Sequence, residues 1–313
     1  MCWSSDALRA RSREREPVKG IHTFDKSDPA RSLAPANPVP AAQRGAIRRV
    51  KLPAGRKLIA LTFDLCETPG EVAGYDGAIV DYLRDHNIKA TFFTGGKWMR
   101  SHSERTQQLL SDPLFEMANH SETHRNLRLL HGKVLSDEIN APQRAYESLV
   151  EGYTGRQCRR GDGTIAKLPA RMTLFRFPFG ACDPESLNAV NDAGLLAIQW
   201  DLSTGDPWRG QKADAITRAM IEHTKPGSII ISHANGRGYH TAEALPAAIP
   251  ALLAKGFEFV TVSELLAAGT PEIAATCYDT RPGDTDKYDS FFAPKPAAKP
   301  ATETPHAPGS TQR

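Results

Sequence analysis

The stretch Lys57-Leu58-Ile59-Ala60-Leu61-Thr62-Phe63-Asp64-Leu65-Cys66-Glu67 decides the fold of this chain. Its first seven residues form a short apolar run that reads as a strand. Residues Gly77-Ala78-Ile79-Val80-Asp81-Tyr82-Leu83-Arg84 then carry apolar side chains at helical spacing, so a strand feeds a helix. The alternation recurs. Further strands are predicted over Lys89 to Phe93, Phe115 to Asn119, Thr173 to Phe177, Leu195 to Trp200, Ser228 to Ser232 and Glu258 to Thr261. Helices are predicted around Glu104 to Leu110, Val134 to Val150, Pro184 to Ala193, Ala213 to Glu222, Thr241 to Lys255 and Val262 to Ala268. Strands alternating with helices predict a parallel sheet covered by helices, and about seven strands in one domain favour a barrel over an open sheet.

The ends of the chain differ from this middle. Residues 1–50 are rich in Arg, Glu, Pro and Ala without sustained periodicity, which predicts a flexible arm. The domain is expected over 51–280. A disordered Pro/Ala-rich tail is expected over 281–313, with Ala293 to Pro300 as an extended linker. A net charge of +3 and a pI near 8.6 are too mild to argue for nucleic acid. Five cysteines at wide spacing, without any C-x-x-C, fit neither a disulfide scaffold nor a zinc ribbon and leave room for one bridge. No stretch approaches the roughly 20 apolar residues of a membrane span. Met1 to Asp6 lacks the apolar core of a secretory signal, which leaves an intracellular protein or a start inside or after an export signal.

In a β/α barrel the chemistry sits on loops at the carboxyl ends of the strands, and reactive residues collect there five times. Asp64 ends the first strand. His120 and His124 end the third, in Asn119-His120-Ser121-Glu122-Thr123-His124; on a helical turn, positions i and i+4 share a face and can point at one divalent ion. The zinc-protease reading fails because Ser121 stands where H-E-x-x-H needs Glu. Arg176-Phe177-Pro178-Phe179-Gly180 ends the fourth strand, Asp201 to Trp208 the fifth, and Ile231-Ser232-His233 the sixth. Singly, Asp64 could cap a helix, Arg176 could pair on the surface and His233 could be a core histidine. Five in register outweigh those readings.

Thr62-Phe63-Asp64, His120-Ser121-x-x-His124, Arg176-x-Pro178-Phe179-Gly180, the Asp201/Asp206 loop and Ile231-x-His233 together resemble the ordered motifs of the polysaccharide deacetylases, the NodB-homology group or carbohydrate esterase family 4. The resemblance spans about Leu58 to Leu266. It implies an irregular (β/α)7 barrel and metal-assisted removal of acetyl groups from N-acetylated, sometimes O-acetylated, sugars. By the same resemblance His120 and His124 are metal ligands, for Zn2+ foremost with Co2+ or Ni2+ as alternatives. Asp64 is the base, Arg176 orients it, the Phe179 N–H helps hold the oxyanion and His233 is the acid. The substrate it implies is an N-acetylated oligo- or polysaccharide, and the location the periplasm or cell envelope.

Two positions depart from the pattern. The family has two consecutive aspartates, base then ligand, and here Leu65 fills the second position; Glu67 is expected to reach back as third ligand. In the fourth motif Ser203 replaces the usual Asp, so Asp201 or Asp206 is expected to support Arg176 or His233. Trp208 offers an aromatic platform for a sugar ring, or simple packing. Asn235 to Gly238 is read as a polar loop facing substrate or solvent. The altered motifs leave two alternatives open: a hydrolase of cyclic amides or ureides, and a degenerate carbohydrate-binding protein.

Overall fold

The computed structural model describes residues 2–27, 33, 36–156 and 168–292. The strands, in chain order, are β1 (Val18–Lys19), β2 (Ala46–Lys51), β3 (Leu58–Leu65), β4 (Glu71–Val72), β5 (Ala90–Thr94), β6 (Phe115–Asn119), β7 (Leu174–Phe175), β8 (Leu196–Ile198), β9 (Leu202–Ser203), β10 (Ile229–His233), β11 (Glu258–Phe259) and β12 (Thr270–Ala274). The helices are α1 (Ser5–Leu8), α2 (Gly77–Asp85), α3 (Gly96–Ser101), α4 (Ser103–Ser111), α5 (Gly132–Gly155), α6 (Pro184–Asp192), α7 (Ala213–His223), α8 (Thr241–Ala254), α9 (Val262–Ala267) and α10 (Lys287–Phe292).

The main sheet runs β12-β2-β8-β7-β6-β5-β3-β10-β9, with β11 added to β3. Every pairing from β2 round to β9 is parallel, and β12 joins β2 antiparallel. The sheet curls because β2 also reaches the start of β10. Val50 N–H donates to Gly227 O at 3.0 Å, and Arg49 bridges to Ser228. Gly227 permits the approach: it has φ +86°, and a Cβ there would lie 1.7 Å from Val50 O. The result is the barrel that the strand–helix alternation favours, in the irregular (β/α)7 form that the family resemblance implies.

Strand alternation explains which side chains enter the barrel. In β3, Ile59, Leu61, Phe63 and Leu65 join the core shared with Ile79, Val80 and Leu83 of α2 and Leu245 and Ile249 of α8. Leu58 and Ala60 join the opposite cluster with Phe93, Ala118, Ile198 and Ile231. Thr62 and Asp64 continue that second row, so Asp64 faces the barrel interior while Leu65 faces the helices.

The limits of the folded region differ from the sequence expectation. Residues 1–50 are not one flexible arm: Ala46 to Lys51 form β2, with Ala46, Ile47 and Val50 buried. Arg48 and Arg49 break the apolar pattern there, yet the Arg48 guanidinium donates to the carbonyls of Tyr278 and Asp279 and stacks on the Tyr278 ring at 3.7 Å. Upstream, buried Arg105 of α4 holds the Glu14 carboxylate at 2.7 Å and the carbonyls of Ala7 and Arg9. Beyond residue 280, α10 is fixed by Arg128, which binds Asp286 at 2.7 Å and Asp289 at 2.8 Å. Residues 293–313 of the expected tail, with the Pro/Ala linker, lie outside the described residues.

Candidate active site

Asp64 stands at the end of β3 with one oxygen bound. Arg176, fully buried just after β7, donates from Nη1 to Asp64 Oδ1 and to Thr62 Oγ1, both at 2.8 Å. Its remaining nitrogens meet the carbonyls of Ile198 and Gln199 at 3.3 Å, and its plane lies 3.9 Å over the Phe93 ring. Burial opposes the Asp64 charge, but its cationic surroundings, with the Arg176 guanidinium hydrogen-bonded to it, outweigh the penalty and hold the carboxyl below its usual value. It is an ionised carboxylate at neutral pH, as a base requires.

The two histidines converge, though not on a helical turn. Residues 120–126 form an irregular loop after β6 in which Ser121 and His124 take left-handed backbone angles, φ 64° and 56°. Polar side chains fix it. Glu138 of α5 accepts from the N–H groups of Glu122 (3.1 Å) and Thr123 (2.9 Å) and from Thr123 Oγ1 (2.6 Å). Asn119 Oδ1 accepts from Ser121 N–H, and Ser121 Oγ from His124 N–H. The imidazole centroids end 5.0 Å apart.

His120 Nδ1 lies 2.9 Å from Arg176 O. A carbonyl only accepts, so Nδ1 carries the proton and the neutral ring presents a bare Nε2. That Nε2 is buried without a hydrogen-bond partner, 3.4 Å from Asp64 Oδ2. Burial holds His120 and His124 below the usual histidine value, which keeps both in the neutral state that ligates metal. An orphaned imidazole nitrogen beside a second imidazole and a carboxylate fits a divalent cation.

Glu67 does not join them. Its carboxylate is buried against α3, accepting from Ser101 Oγ at 2.7 Å and Ala73 N–H at 3.0 Å, with Lys97 Nζ 3.3 Å away. Position 67 leaves on the wrong side of the strand. Cys66 is the neighbour that stays: Cys66 Sγ and one nitrogen each of His120 and His124 all lie within 4.8 Å of one another. The thiol is buried, and burial pushes it up to about 12. From sequence Cys66 reads as a buried small hydrophobe or half of a bridge with no catalytic role, although continuing the inward row of 60, 62 and 64 by two residues selects it.

His233, at the end of β10, pairs through Nδ1 with Asp206 Oδ1 at 2.9 Å. Asp206 Oδ2 also accepts from His233 N–H (2.7 Å) and Thr241 Oγ1 (2.7 Å). Burial disfavours the imidazolium, but the Asp206 charge and hydrogen bond, with Asp64, raise His233 above its usual value. Asp201 is not brought to the site: its carboxylate takes Ser228 Oγ and Ile229 N–H, both at 2.8 Å. Phe179 sits in the left-handed region at φ 61° in the Pro178–Gly180 turn, its ring edge-on to His124 with centroids 4.5 Å apart.

Asp64, Cys66, His124, Phe179, Trp200 and His233, among others, line a cavity of about 420 Å³. Trp200, which sequence reading did not single out, donates from Nε1 to Asp279 Oδ1 at 2.8 Å, whereas Trp208 is 68% exposed. Asp279 and Tyr288 close one side of the cavity. The Cys182–Cys277 disulfide ties that C-terminal strap to the segment following Phe179. Of the Asn235 to Gly238 loop, Asn235 is buried and donates to Cys66, and Arg237 pairs with Glu71.

Comparison with known proteins gives the family and the fold. Residues 51–198 match the family model described as polysaccharide deacetylase. A chitooligosaccharide deacetylase of Azorhizobium caulinodans is 28% identical over 211 residues, covering 64% of this chain and 90% of the relative. One from Rhizobium leguminosarum bv. phaseoli is 30% identical over 180 residues, 57% of this chain and 69% of the relative. Among solved structures, the Bc1960 peptidoglycan N-acetylglucosamine deacetylase superposes with a TM-score of 0.59 at 23% identity, covering 73% of this chain and 96% of that one, a likeness of fold.

Proposed function

The chain belongs to the polysaccharide deacetylase family and is a hydrolase of amide bonds in N-acetylated carbohydrate; from that premise we propose how its own residues carry the reaction and where. Asp64 accepts the proton of the attacking water, and Arg176 holds its second oxygen so that the free one faces the cavity. His120 and His124 hold a divalent ion, Zn2+ foremost. When bound, that ion polarises the acetyl carbonyl and makes water acidic enough to be a nucleophile near neutrality. The Phe179 N–H, on its strained turn, donates to the carbonyl oxygen as it gains charge. His233 gives its proton to the departing sugar nitrogen, and Asp206 keeps it charged until then.

The observation that carries this reading is that an ionised Asp64, 3.4 Å from a bare His120 Nε2, lines one cavity with an Asp206-backed His233. The similar proteins are chitooligosaccharide and peptidoglycan deacetylases, so the substrate class is an oligo- or polysaccharide bearing N-acetylglucosamine, rather than a cyclic amide or ureide. Paired Asp64 and His233 disfavour a degenerate binding protein. An exported location, in the periplasm or cell envelope, agrees with the Cys182–Cys277 disulfide, because such bonds persist in oxidising compartments. Among the described residues no helix is long and apolar enough to cross a membrane.

Acetate release from chito-oligosaccharides, peptidoglycan and acetylated xylan by the purified full chain tests the proposal. Release from the first two, lost with a chelator and restored by Zn2+ or Co2+, is expected. Metal-loaded protein that releases no acetate from any of them overturns it.

A further inference from the structure

We propose that Cys66 is the third protein ligand of the divalent-ion site, binding as a thiolate beside His120 and His124. The inference rests on the metal-dependent reading above and deepens it. Three observations converge on it. Cys66 is the side chain that continues the inward row of β3, and its sulfur lies within 4.8 Å of both imidazole nitrogens. His120 Nε2, on a residue only 1% exposed, is buried with no hydrogen-bond partner, while Nδ1 is occupied by Arg176 O. The two acidic alternatives are spent or absent: Glu67 is held by Ser101, Ala73 and Lys97, and Leu65 is packed in the outer core.

A neighbouring amide orients the sulfur. Asn235, fully buried, donates from Nδ2 to Cys66 Sγ at 3.1 Å and to Cys66 O at 2.9 Å, which fixes the side chain and places an N–H dipole on the sulfur. Metal-bound sulfur is commonly held in this way by a neighbouring donor. Binding forms an Sγ–metal bond and breaks the S–H bond, its proton leaving to solvent, with no change of oxidation state. A coordinated thiolate restores the single negative charge that a carboxylate ligand would bring. Sulfur is the softer donor, so the site selects Zn2+ or Co2+ over Mg2+ or Mn2+.

Replacing the resident ion of the full chain with Co2+ gives a direct reading. Expected at one equivalent are the visible bands of a low-coordinate cobalt site together with a near-ultraviolet sulfur-to-cobalt charge-transfer band. Cys66→Ser should lose the charge-transfer band and weaken Co2+ and Zn2+ binding by about 100-fold or more, beyond the 10–100-fold that lost outer partners cost. Cys66→Asp should recover affinity without the band. Visible bands lacking the charge-transfer band in the unmodified chain, or a band that survives Cys66→Ser, overturns the thiolate and leaves the metal-dependent reading standing. Failure to bind Co2+ at all, with acetate release indifferent to chelators, sinks both. The spectrum of the unmodified chain keeps the test decisive even where a variant fails to fold.

Discussion

A side chain that protonates a leaving amine must hold its proton at working pH, and for the acid role proposed for His233 this depends on one partner. Asp206 sits 2.9 Å from Nδ1 and raises the imidazole above its usual value against the penalty of burial. Activity needs the charged ring, so it falls as pH rises through that raised value. Asp206→Asn removes the negative charge, lowers the histidine's value and moves the descending limb of the kcat/KM profile to lower pH, which a pH series on chito-oligosaccharide measures. An unmoved limb assigns it to another group. At this scale the positions that the fold brings together were legible because apolar runs end abruptly in Asp64, His120, Arg176 and His233. Glu67 was misread because chemical type was weighed before strand parity: a carboxylate is the commoner ligand, but position 67 turns towards Lys97 and Ser101.

At the scale of the element, the loop after β6 depends on a helix that never touches the reaction. Glu138 of α5 takes two backbone N–H groups and one hydroxyl of residues 122 and 123. Glu138→Gln turns an amide N–H2 towards donors, so the loop loosens and metal affinity falls by about 10–100-fold, read by competition with a chromogenic chelator. The C-terminal strap depends on a covalent tie instead. The Cys182–Cys277 bridge closes a separation of 95 residues, and the double Ser variant should lose about 2–5 kcal/mol of stability in urea unfolding. KM should rise with it, because Asp279 and Tyr288 line the cavity. Neither device was legible. The pairing of cysteines so far apart depends on the fold, and a buried Glu within a helix looks like any solvated charge. Positions 120–124 also misled, since spacing of four suggests a helical turn while the loop reaches the same convergence through left-handed Ser121 and His124.

For the whole molecule, the segment before the barrel is structural. Deleting residues 1–27 removes the Glu14 carboxylate and the Ala7 and Arg9 carbonyls from Arg105, which is 2% exposed. A buried guanidinium left without its carboxylate costs about 3–5 kcal/mol, to be measured as a lower urea midpoint; an unchanged midpoint refutes the role. The seven strands read from sequence all exist because parallel barrel strands are continuous apolar runs. β2 escaped notice because its two arginines find their partners far along the chain, Arg48 at the Tyr278 and Asp279 carbonyls and Arg49 at Glu272 of β12. One register has a wider consequence. Asp64 and His233 are direct partners across the parallel pair β3 and β10, so the backbones that carry the proposed proton acceptor and proton donor stand one interstrand spacing apart, about 4.7–4.9 Å. The barrel acts as a fixed gauge for the reaction, while the surrounding loops and strap are interchangeable jaws. Selection on such a scaffold can exchange one glycan for another by rebuilding the jaws, without recalibrating the chemistry between them.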